Sequence, residues 1–63
     1  MTDRELWAAA NHVHAQHGEE AGRIFIAARI GELALRSDGD GICAWKLIAA
    51  YFDKLVADPT HIE

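Results

Sequence analysis

The chain has 63 residues and a net charge of −4, and 51% of its residues are hydrophobic, which excludes a disordered polar segment and makes it one small domain over residues 1–63. Twelve of the hydrophobic residues are alanine and only 20 are larger, so the core is thin, and at this size only about 60% of the unfolded surface can be buried. Charge runs from −1 over residues 1–18 through zero over 19–37 to −3 over 38–63, without the Lys/Arg cluster that a phosphate backbone requires.

Small scaffolds usually need a staple. Cys43 is the sole cysteine, so an internal disulfide is excluded and self-association is the first expectation, with a metal second. The charged first turn and the lack of an apolar run of roughly 18 residues argue against a signal peptide or a spanning helix. The expected setting is the cytoplasm.

Taken in chain order, Thr2-Asp3-Arg4-Glu5 fits a capping box, so a first helix is expected over residues 3–17, with Gly18 as its left-handed C-terminal residue. Leu6, Ala10, Val13 and His17 line its apolar stripe, with Trp7 and His14 on the flank and His12 nearly opposite. A second helix is expected over 19–36, supported by Glu19/Arg23 and Glu32/Arg36 pairs. Its apolar arc is very wide: Ile24, Ala28, Gly31 and Leu35 form one stripe, and Ile26, Ile30, Leu33 and Ala34 another. Gly22 and Gly31 each weaken it by about 1 kcal/mol, and close packing is expected at Gly31.

Ser37 to Gly41 is a turn by composition. Asp40 is expected to cap a third helix over 41–57, with Trp45, Ile48, Phe52 and Leu55 as its stripe. Asp58-Pro59 should end it, and residues 60–63 should fray. The expected fold is all-α, a three-helix bundle.

Several ordered pieces carry a likeness. They are Glu5-Leu6-Trp7-Ala8, His17-Gly18, the run from Ile26 to Leu35 (IAARIGELAL), a short Asp/Gly turn, and Trp45 to Ala50 with its W..IAA pattern. In these the chain resembles a family of short, uncharacterised α-proteobacterial proteins. That resemblance implies a small helical domain and brings no catalytic residue with it.

Chemistry is sparse. His14 and His17 could share a metal on one helix surface, but a zinc site needs three or four protein ligands and no spacing here supplies them. The simpler reading gives His17 a helix C-terminus, sets His14 against Trp7 and leaves His12 in water; a pH-sensitive interface is a third reading. An EF-hand loop from Asp38 would need an acid at its twelfth position, where Ala49 stands; its fifth and ninth are Ile42 and Lys46. Cys43 near a helix start has no base specified beside it. A DNA-reading third helix would carry only Lys46 and Lys54, close to Asp53 and Asp58.

These readings converge on a non-catalytic protein with no cofactor, acting through protein contacts. The expected partner is a second copy (a homodimer) or another protein, with no membrane and no nucleic acid. The interface residues expected from the surplus apolar surface are Phe25, Ile26, Ile30, Leu33 and Tyr51. Metal-binding and nucleic-acid-associated modules are the rival functions.

Overall fold

A computed structural model describes residues 2–57. Helix α1 spans Asp3–Leu35 and helix α2 spans Gly39–Ala57. The expected end of the last helix at Asp58-Pro59, and the fraying of 60–63, lie outside the described residues.

The expected three-helix bundle is therefore corrected to two helices. The spans expected at 3–17 and 19–36 belong to one element. Gly18 breaks the helix at a positive φ (φ 84°, ψ −168°), in an extended region essentially confined to glycine rather than in the left-handed helical conformation expected of a C-terminal cap. But no connecting residues follow it. Glu19 resumes helical geometry at once, so the break is a kink within α1 rather than a loop between helices. The kink is sharp. A straight helix of 33 residues would be about 50 Å long, whereas the molecule's longest dimension is 36 Å. We call residues 3–17 the first arm and 19–35 the second arm.

The first arm starts as its sequence demands. Thr2 Oγ1 accepts from the Glu5 amide at 3.2 Å, and Glu5 Oε1 accepts from the Thr2 amide at 2.8 Å. Both orphan amides are satisfied reciprocally. At the other end, Ser37 N–H donates to the Ala34 carbonyl and Asp38 N–H to the Leu33 carbonyl. This is a Schellman closure, with Ser37 at φ 56° in the position that glycine usually fills.

Helix α2 starts two residues earlier than the expected Gly41. Asp38, not Asp40, caps it: Asp38 Oδ1 accepts from the Gly41 amide at 3.0 Å. The three-residue link 36–38 is short enough that Asp38 serves both ends, its backbone amide closing α1 and its side chain opening α2.

The core gathers all three segments. Leu6, Ala10 and Val13 come from the first arm, Ile26 from the second, and Ile48 and Phe52 from α2; all are buried in one cluster. Leu33 is buried as well. The arms and α2 come close together at Gly22. A Cβ there would lie 2.6 Å from Phe52 Cζ and 3.4 Å from Val13 Cγ1. The close packing expected at Gly31 is absent: a Cβ at Gly31 would have nothing within 4 Å. Gly22 is the glycine that packing requires.

Ion pairs differ from expectation in one place. Glu32 pairs with Arg36 at 3.7 Å and with Arg29 at 2.6 Å. Arg23 pairs with Asp53 of α2 rather than with Glu19. These pairs are exposed, and each is worth at most about 1 kcal/mol.

Candidate functional site

The histidines separate. His14 lies beside Phe52, ring centroids 5.9 Å apart, and not against Trp7, which stacks instead on Tyr51 at 4.7 Å with the planes 3° apart. His17 is exposed and stacks on Phe25 at 4.6 Å. Residues eight apart on a straight helix stand about 12 Å apart along its axis, so this stack exists because of the kink. His12 is exposed. Among the described residues no three His, Cys, Asp or Glu side chains converge to hold a metal ion. Cys43 is free and exposed.

Among the described residues two titratable groups are shifted. Hydrogen bonding to Asp3 raises Tyr51 above its ordinary pKa, since ionising would lose the bond its hydroxyl donates; burial and the Asp3 charge act the same way. The Thr2 backbone amide, followed by its hydroxyl, lowers Glu5 below the usual carboxylate range. Both shifts arise from bonds made at the start of α1.

The surface between α2 and the second arm holds a shallow groove of about 230 Å³. Ile26 and Phe52 form its floor, Ile30 and Ala49 its sides, and the Arg23–Asp53 pair its rim.

The five expected interface residues divide. Ile26 and Leu33 are buried, and their stripe is the one that meets the core. Ile30 and Tyr51 are half-buried, Tyr51 beneath Trp7. Phe25 stays 39% exposed while folding edge-on to Trp45 at 6.0 Å, so it both caps the bundle and shows one face to solvent.

The surplus apolar surface is the other stripe. Ile24 is 66% exposed and Leu35 90% exposed. Between them Ala27, Ala28, Gly31 and Ala34 are also exposed. At 100° per residue this face points directly away from Ile26 and Leu33. A solvent-facing helix surface normally carries charge; here Glu20 stands one turn before Ile24 at the face's N-terminal end and Glu32 along its edge. The sequence shows both stripes. What it does not show is which one α2 and the first arm cover, because either satisfies helical spacing.

Among the described residues no helix is long and apolar enough to cross a membrane. No curated protein and no solved structure matches the chain. The model of one protein family matches residues 2–60. That span is nearly the whole chain, and the family has no assigned catalytic or binding activity. The chain thus belongs to a family of unknown function (DUF6961).

Proposed function

We propose that this protein is a small, non-catalytic interaction module that works by laying the outer face of the second arm of α1 against a helix of a protein partner. The observation that carries this reading is the exposed apolar face from Ile24 to Leu35 on the side of α1 opposite the core. A charge-poor, apolar helix face in contact with water is the usual mark of a protein contact. Burying Ile24 and Leu35 would supply about 1.5–3 kcal/mol each, scaled down for Ile24 by its partial exposure. A cytoplasmic, bacterial setting is part of the proposal. It draws on the resemblance described above and on the exposed thiol of Cys43, which suits a reducing compartment.

The test is a photo-reactive amino acid placed at position 24, and separately at exposed Gln16 on the first arm, in the cells that make the protein. Position 24 should give a discrete protein adduct that position 16 does not. Equal or absent labelling at the two positions would end the reading.

A further inference from the structure

We infer that the partner seated on this face is a second copy of the chain, packed antiparallel about a two-fold axis midway between Ala28 and Gly31. The inference rests on the interaction reading above and names its occupant.

The face is built symmetrically. Ile24 and Leu35 are the two large exposed residues, and they stand equally far from the midpoint of Ala28 and Gly31. A two-fold interface needs a patch that complements itself when reversed. Reversal here sets Ala28 of one copy over Gly31 of the other, and Ile24 of each beside Leu35 of its mate. Small residues at the centre let the helix axes approach, and helices crossing at about 50° diverge on either side. The large residues stand where the gap widens. A Cβ built on Gly31 meets nothing within 4 Å, so this centre is open to an approaching backbone.

Charge selects the direction. Parallel copies would set Glu20 level with Glu20 and Glu32 level with Glu32. Antiparallel copies separate both like pairs, and their helix dipoles oppose favourably. Area sets the strength. From Ala21 to Leu35 the face is about 21 Å long on a helix about 10 Å across. Two such faces bury less than the roughly 1,200 Å² of a standard stable interface. The dimer is accordingly weak and reversible, half-formed between about 10 μM and 1 mM.

Sedimentation equilibrium of the chain from 10 μM to 1 mM tests the association. The wild-type mass should rise from 6.9 kDa toward twice that value. Ile24→Lys should stay monomeric throughout with unchanged far-UV circular dichroism. A wild-type chain that is monomeric at 1 mM overturns the second copy. If position 24 still captures another protein in cells, the interaction reading stands without it. An Ile24→Lys variant that dimerises like the wild type also overturns it, since the contact then lies elsewhere. Direction is read by disulfide trapping in a Cys43→Ser background. Ile24→Cys and Leu35→Cys proteins should cross-link when mixed and not when alone. Like residues would sit about 16 Å apart along the axes, beyond the roughly 7 Å that a disulfide spans. Cross-linking of either protein with itself, in preference to the mixture, overturns the antiparallel arrangement.

Discussion

Replacing Gly22 and Gly31 with alanine, in separate variants, makes the same chemical change in the same arm of the same helix and should move stability in opposite directions. Alanine is favoured over glycine by about 1 kcal/mol in a helix interior, and this gain is common to both sites. At Gly31 nothing opposes it, because the new methyl group has no neighbour within 4 Å. At Gly22 the methyl would lie 2.6 Å from Phe52 Cζ and 2.8 Å from Cε2. The Phe52 ring cannot easily retreat. It is 1% exposed, with His14 at 5.9 Å and the Arg23 guanidinium at 5.9 Å around it. Overpacking of this kind costs about 1–3 kcal/mol. The difference between the two variants cancels helix propensity and isolates that clash, so Gly31→Ala should be the more stable by about 1–3 kcal/mol. In a domain of this size the gap is at least about 4 °C in melting temperature. Thermal unfolding followed by circular dichroism at 5 μM, below the proposed association, measures it. If Gly22→Ala melts at or above Gly31→Ala, the packing of Phe52 against the kinked helix is wrong as described.

Ser37 holds a left-handed conformation that costs a non-glycine residue about 1–2 kcal/mol, so Ser37→Gly should stabilise by about 0.5–1 kcal/mol net of chain entropy, seen as a raised urea midpoint. Tyr51 is the sole tyrosine, so absorbance near 295 nm titrates it directly. Its midpoint should exceed the ordinary tyrosine value and fall back in Asp3→Ala. Because the folded value is raised, Tyr51's contribution is whole below the ordinary pKa and is lost as pH rises through the folded one; Tyr51→Phe should remove that alkaline loss. Glu5 has the opposite sign: its folded pKa is lowered, so its contribution is present above the ordinary carboxylate range and is lost as pH falls through the lowered value. Thr2→Ala should cost about 1 kcal/mol at neutral pH, and Glu5→Gln, which removes the titrating group itself, should flatten the acid side of the urea-midpoint profile.

Local signals in the sequence read through well where one residue decides a local geometry. The Thr2/Glu5 capping box is present, and Gly18 does break helical geometry at a positive φ. The core membership of Leu6, Val13, Ile48 and Phe52 reads through as well. Misreadings arise where tertiary contact decides. Gly18 signals a break, but its dihedrals alone do not say whether a loop follows, and the kink is fixed by what the two arms pack against. Asp38 and Asp40 are equal candidates for a cap, and the Schellman closure of α1 places Asp38 in the capping position. The second arm carries two apolar stripes 180° apart, and only the docking of α2 tells core from surface. That ambiguity put Ile26 and Leu33, rather than Ile24 and Leu35, among the expected interface residues.

The loop-free kink at Gly18 also bears on which chain lengths this fold tolerates. One residue added or lost between the arms would rotate everything after it by about 100° relative to the first arm. Ile26 and Leu33 would then swing off the core while a polar edge of the helix swung in. The link at 36–38 carries no such constraint, because its residues lie outside both helices and extra ones would simply lengthen a turn. Length variants of this protein should therefore accept insertions near Ser37 and refuse them at Gly18, which makes the spacing from Val13 to Gly22 a fixed measure of the fold, written as a residue count rather than as residue identities.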